Sequence, residues 1–181
     1  MDGDPGGDAD KILALLKALN LKVVAIIHTH AHLDHILAAG EIKNATGAPI
    51  YLHKGDQFLW DMVEDQCAMF GVPTVSLPEP DHYINDDQAF DCCGAVAIHT
   101  PGHTPGSVSF WFDEYKTLIA GDTLFQGSIG RTDLPGGNFD EIKQSISQRL
   151  YTLHDDAVVI TGHGASTTIG TEKQSNSFVR A

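Results

Sequence analysis

The sequence predicts an α/β protein, and three observations carry that prediction. Segments with helical apolar spacing alternate with short β-branched runs. A chain of 181 residues suffices for one core, which predicts a single domain over residues 1–181. No fixed-period repeat and no low-complexity linker interrupts the alternation.

The first helix is expected over residues 8–19, where Ile12, Leu13, Leu15, Leu16 and Leu19 fall at helical spacing and Asp8 can cap the N-terminus. Residues 22–27 form a nearly continuous apolar run, the pattern of a strand covered on both faces. Residues 36–46 read as helix, 48–52 as strand, and 57–70 as a longer helix in which Trp60, Met62 and Met69 are expected to pack into the core. From residue 88 the texture is that of hairpins: strands are expected at 95–99, 107–112 and 116–120, with Asp113-Glu114 in the last turn. A helix over 139–150 and a strand over 157–161 complete the pattern.

Composition narrows the partners. With 24 acidic against 11 basic residues the formal net charge is -13, which repels a phosphate backbone, so nucleic acid is not expected. The apolar runs are too short to cross a bilayer and the N-terminus is acidic and glycine-rich, so a soluble chain without an export signal or membrane contact is expected. Three cysteines, two of them the adjacent Cys92 and Cys93, make no disulfide framework, and the expected compartment is a reducing cytoplasm.

Ten histidines are many for this length, and several follow directly on expected strands. His30, His32, Asp34 and His35 come after the first strand, His103 after 95–99, Asp122 after 116–120, and His163 after 157–161. Strand ends at one rim of a sheet converge, so these groups are expected to meet. Packing three imidazoles and a carboxylate within six residues gains a core nothing and costs desolvation unless a cation compensates. Imidazole and carboxylate suit borderline divalent ions, and a histidine- and aspartate-rich set without a neighbouring cysteine points to an open catalytic site rather than a closed structural one. His28, His53, His82, His99 and His154 are expected to be hydrogen-bonded structural residues.

The segment Thr29-His30-Ala31-His32-Leu33-Asp34-His35 resembles the T-H-x-H-x-D-H signature of the metallo-β-lactamase superfamily, and His103, Asp122 and His163 follow in the order that superfamily uses. Asp4-Pro5-Gly6-Gly7-Asp8, Pro101-Gly102-His103-Thr104-Pro105-Gly106-Ser107, Gly121-Asp122-Thr123-Leu124-Phe125 and the segment from Gly127 to Pro135 are similar to the short glyoxalase II-like branch, over residues 4–178. The resemblance implies an αββα sandwich, here without the strands that precede the Asp-Pro-Gly-Gly-Asp segment. It implies that His30, His32 and His103 hold one metal, Asp34, His35 and His163 a second, and that Asp122 bridges them.

Two divalent ions, zinc first and iron or manganese as alternatives, would then hold a bridging hydroxide that attacks the carbonyl of a thioester such as lactoylglutathione, with Asp34 and Asp122 as catalytic carboxylates. Arg131 is the candidate to bind a carboxylate of the thiol moiety, or it pairs with Asp133 instead. A broad esterase, a β-lactamase and an iron persulfide dioxygenase are the alternatives on the same site, and a nuclease or a non-catalytic metal-binding protein the alternatives outside them. A sheet edge left by the missing strands would invite a second copy, so a two-fold homo-oligomer is expected.

Overall fold

In the computed structural model, which describes residues 4–180, the alternation read from the sequence becomes two compact units that divide between Ile84 and Asn85. In the first, α1 (Ala9–Ala18) leads to β1 (Ile26–Ile27), then α2 (Leu33–Ile36), α3 (Ala39–Thr46), β2 (Ile50–His53), a 3-10 turn, α4 (Gln57–Asp61), α5 (Val63–Phe70) and β3 (His82–Ile84). The three strands are parallel, in the order β1-β2-β3, as helical crossovers between strands require. Ile26, Ile50 and Leu52 sit in a core that Ile36, Ala39, Ile42, Leu59, Trp60, Val63 and Cys67 close from the helices.

Several local expectations are corrected here. Asp8 occupies the N-cap position of α1, but its side chain makes no cap hydrogen bond. It lies in the left-handed region at φ 52°, and its carboxylate accepts from Lys11 Nζ at 2.8 Å instead. Of residues 22–27 only Ile26 and Ile27 pair as strand, because β1 is the edge of its sheet among the described residues and Val24 faces solvent with Leu15, Leu19 and Leu21. The helix expected over 57–70 breaks at Met62, whose ψ of 15° ends α4 before α5 begins. That break divides the expected core stripe: Trp60 is 2% exposed, while Met62 is 40% and Met69 74% exposed. The start of the helix expected at 36–46 also shifts, since α2 and α3 meet at Leu37 and Ala38; α3 closes on Gly47 at φ 71°.

The second unit carries a mixed sheet. β4 (Ala89–Phe90), β5 (Ala95–His99), β6 (Val108–Phe112) and β7 (Thr117–Gly121) form an antiparallel meander, followed by the small hairpin β8 (Leu124–Phe125) and β9 (Ser128–Ile129). Then come α6 (Phe139–Gln148), β10 (Val158–Thr161), β11 (Thr167–Thr168) and α7 (Ile169–Ser175). The six-stranded order is β11-β10-β7-β6-β5-β4, with β10 parallel to β7 because α6 carries the chain back across the sheet. The β6–β7 turn falls at Asp113-Glu114 as expected, closed by Lys116 in the left-handed region at φ 43°.

Asn138 caps α6, its side-chain oxygen accepting from Asp140 N at 3.0 Å and Glu141 N at 3.2 Å. Ile142 and Ile146 on α6, with Leu150, bury completely against Leu118, Leu124, Ala157, Val159 and Ile169. No helix among the described residues is long and apolar enough to cross a membrane. Ile142→Ala is expected to lower unfolding stability by about 2–5 kcal/mol, through lost burial and the cavity left behind, read from urea or thermal denaturation.

Candidate metal centre

In the first unit the ligand-rich segment leaves the end of β1 and enters α2, so His30, His32, Asp34 and His35 are fixed by one strand end and one helical turn. The rings of His30 and His32 stand 4.9 Å apart and those of His30 and His35 4.0 Å. His30 and His35 are buried, and Asp34 is exposed with its Oδ2 3.7 Å from His35 Nε2.

Asp4 organises this cluster. Its Oδ1 accepts from Thr29 N at 2.7 Å, and its Oδ2 accepts from Thr29 Oγ1 at 2.6 Å and from His35 Nδ1 at 2.8 Å. Because the Thr29 hydroxyl proton goes to Asp4, the Thr29 oxygen, 3.0 Å from His30 Nδ1, acts as acceptor for that nitrogen. His30 and His35 are thus both held with the proton on Nδ1 and the lone pair on Nε2, the neutral form that a metal takes. Asp4, His30 and His35 bring one ligand atom each within 4.8 Å, but with both Asp4 oxygens committed to donors, Asp4 is the outer partner of the histidines rather than a ligand.

The backbone of the same segment is clamped from the side. Asp56, fully buried, accepts from Ala31 N at 3.0 Å. Gln66 on α5 accepts from Leu33 N at 3.0 Å and donates to Ala31 O and Leu59 O at 3.2 and 2.8 Å. The backbone at Gly6 presses so closely on Asp34 that a Cβ there would lie 1.8 Å from Asp34 O, so this position requires glycine.

In the second unit Asp122, just past β7, stands between two histidines. Its Oδ2 is 3.6 Å from His103 Nε2, in the β5–β6 loop, and 3.6 Å from His163 Nε2, in the loop after β10. His103 is buried and donates from Nδ1 to Arg131 O at 2.7 Å, which again leaves the lone pair on Nε2; His163 is exposed. Asp122 is hemmed in by glycines, since a Cβ on Gly130 would meet Asp122 O at 1.8 Å and one on Gly162 would meet Asp122 Oδ1 at 2.0 Å.

The donor set fits divalent ions. Separations of 3.6–3.7 Å between imidazole nitrogen and carboxylate oxygen are too long for hydrogen bonds. Two ligand atoms each about 2.1 Å from a common ion at near-tetrahedral angles stand about 3.4 Å apart, close to those values.

Of the histidines expected to be structural, His28 is buried and donates from Nδ1 to His35 O at 3.2 Å; burial lowers its pKa to about 4 and keeps it neutral. His53 accepts from Gly55 N, and His99 bonds Pro105 O through Nε2. His82 and His154 are exposed. Asp56 and Gln66 were not singled out by the sequence, and Asp4 entered only as part of a motif. The signal that could have flagged them is positional, since a carboxylate and an amide at buried positions need donors and acceptors to match.

The sequence model of the metallo-β-lactamase superfamily matches residues 4–163, which include every ligand candidate in both units. The chain belongs to the metallo-β-lactamase superfamily. It is 39% identical over 182 residues, 98% of this chain and 86% of that protein, to the hydroxyacylglutathione hydrolase GloC of Haemophilus influenzae. Among solved structures it is similar to TTHA1623 in a di-iron-bound form, with a TM-score of 0.92 and 36% identity over 97% of this chain and 87% of that one. It is also similar to the BLEG-1 B3 metallo-β-lactamase, with a TM-score of 0.90 and 36% identity over 98% of this chain and 87% of that one. The superfamily's fold is therefore this chain's fold, and the two histidine and aspartate sets are donors of the kind that divalent metals accept.

Arg131, the candidate for substrate recognition, makes a bidentate pair with Asp133 at 2.7 and 2.8 Å, and both side chains face solvent. The guanidinium holds the Asp133 carboxyl down at about 2. A depressed folded-state pKa contributes stability above the ordinary carboxylate range and loses it as pH falls toward 2, an effect that solvent keeps small here. In Arg131→Ala the Asp133 carboxyl is expected to titrate near its ordinary value of 3.8, followed by carbon-detected NMR; a midpoint unmoved from about 2 would show that the arginine is not the cause.

Proposed function

We propose that this metallo-β-lactamase superfamily member is a metal-dependent hydrolase of a hydroxyacyl thioester such as lactoylglutathione. In this reading His30, His32 and His103 would hold one divalent ion and Asp34, His35 and His163 a second, with Asp122 a further carboxylate donor to the site. The observation that carries it is the fixed presentation of Nε2 by His30, His35 and His103, whose Nδ1 atoms are engaged by Thr29, Asp4 and the Arg131 carbonyl. Two ions bound there would supply Lewis-acid polarisation of the scissile carbonyl and a water of lowered pKa.

The chain's own residues do the rest. The buried imidazoles and the clamped backbone keep the ligand atoms in place without reorganisation. The carboxylates of Asp34 and Asp122 can receive the proton released as water adds to the carbonyl. A thiolate leaves readily, so the site needs no strong general acid. Arg131, turning from Asp133, offers a bidentate donor for a carboxylate on the thiol half of the substrate. The GloC relative supports the hydroxyacylglutathione class. Zinc is the proposed ion, and the di-iron form of TTHA1623 supports iron as its alternative, with manganese compatible with the same donors. The likeness to BLEG-1 favours lactam hydrolysis as the second reading.

Elemental analysis of the purified protein, alongside a panel holding lactoylglutathione, a simple ester and a β-lactam, tests both. Two ions per chain and preferential turnover of the thioester are expected. His103→Ala should lower kcat/KM on the order of 100-fold or more, because a lost ligand disables the ion. Full activity with a single ion would contradict the dinuclear site, and turnover of the lactam alone would replace the thioester reading.

A further inference from the structure

Glu172, on α7, is fully buried, and its carboxylate is held by neutral donors: Gly127 N at 2.9 Å, Thr167 Oγ1 at 2.6 Å and the Asn176 amide at 2.8 Å. Asn176, also fully buried, donates in addition to Ser128 O at 3.0 Å, while its oxygen accepts from Phe178 N and Val179 N at 2.9 and 3.2 Å. Burying a carboxylate forfeits hydration that hydrogen bonds only partly replace, and packing α7 on an apolar core would not require one. What these bonds do is grip one short stretch of chain, the β8–β9 hairpin, at two successive residues, by the N–H of Gly127 and the carbonyl of Ser128.

That stretch runs straight into the metal site. A Cβ on Gly130 would fall 3.2 Å from His103 Cγ as well as against Asp122 O, so the hairpin backbone lies directly on the ligand ring. The next residue supplies the Arg131 carbonyl that receives His103 Nδ1–H at 2.7 Å. Gly130 N also donates to Thr123 O at 3.3 Å, tying the hairpin to the residue after Asp122. Close packing leaves no slack between the gripped residues and the ring, so displacement at Gly127 and Ser128 shifts the acceptor that orients His103.

We propose that Glu172, with Asn176, is a positioning residue that orients His103 and Asp122 for metal through the β8–β9 hairpin. This rests on the reading of His103 as a metal ligand. The role needs hydrogen-bond geometry rather than charge. A glutamine can keep it: the amide oxygen accepts from Gly127 N and the Asn176 amide, the amide nitrogen faces Thr167 Oγ1, and the hydroxyl turns from donor to acceptor.

Zinc affinity of the full chain, measured by competition with a chromophoric chelator well below the melting temperature of each variant, tests this together with hydrogen exchange of the Gly127 amide by NMR. Glu172→Ala is expected to weaken zinc binding on the order of 10-fold or more and to lose Gly127 protection, and Glu172→Gln to match the parent in both. A folded Glu172→Ala that binds zinc like the parent overturns the proposal, and so does a Glu172→Gln as weak as the alanine variant. Should Glu172→Ala not fold, Glu172→Asp, which withdraws the carboxylate by one methylene, is expected to show the same weakening, and parent-like affinity there overturns the proposal equally. His103→Ala in the same titration separates the two layers: unchanged affinity there removes the metal-ligand reading itself, whereas weakened affinity in His103→Ala with none in Glu172→Ala removes only the role of Glu172.

Discussion

An imidazole has two nitrogens and can present only one of them to a metal, so whatever holds the other nitrogen decides what the ring can do. In this chain the holding is done by oxygen acceptors of the chain itself. Asp4 takes the Nδ1 proton of His35 and, through the Thr29 hydroxyl, fixes the direction of the bond that takes the Nδ1 proton of His30. The Arg131 carbonyl does the same for His103. Each arrangement leaves a lone pair on Nε2, the form of the ring that suits a metal ligand.

The surrounding fold serves this constraint at a cost in local freedom. The candidate ligand residues leave the ends of β1, β5, β7 and β10, where the chain turns and where glycine is required because neighbouring backbones meet. The contacts of Gly130 and Gly162 with Asp122 leave no room for a side chain, so the carboxylate between His103 and His163 is set by packing as much as by bonding. Other buried polar groups, Asp56 and Gln66 in one unit and Glu172 and Asn176 in the other, each end on backbone atoms close in sequence to a candidate ligand. Full satisfaction of such groups rigidifies a site, whereas partial satisfaction would destabilise it.

Much of this was legible in the sequence, for physical reasons that differ by element. The strands β5, β6 and β7 could be placed because β-branched and aromatic runs bounded by turn residues have few other uses, and α6 falls within the helix expected over 139–150, its Asn138 cap emerging only with the structure. The candidate ligand residues stood out because clustered imidazoles have no packing rationale. Met62 and Met69 misled because periodicity assumes an unbroken helix, and the break at Met62 turns the stripe outward. Strands of two residues, such as β8, β9 and β11, carry no periodicity at all, and the hairpin they help to place became visible only in the structure. The outer hydrogen-bond partners were hidden for a related reason, since an isolated Asp, Gln or Glu is common on any surface and only its burial marks it.

The claim that the protein fixes its histidine tautomers ahead of metal is tested most directly by long-range proton–nitrogen NMR of the imidazole side chains in metal-free protein at neutral pH. The account predicts that His30, His35 and His103 each carry a slowly exchanging proton on Nδ1 and none on Nε2, and that zinc then shifts the Nε2 resonances. Protons on Nε2, or rings exchanging between tautomers, would contradict it.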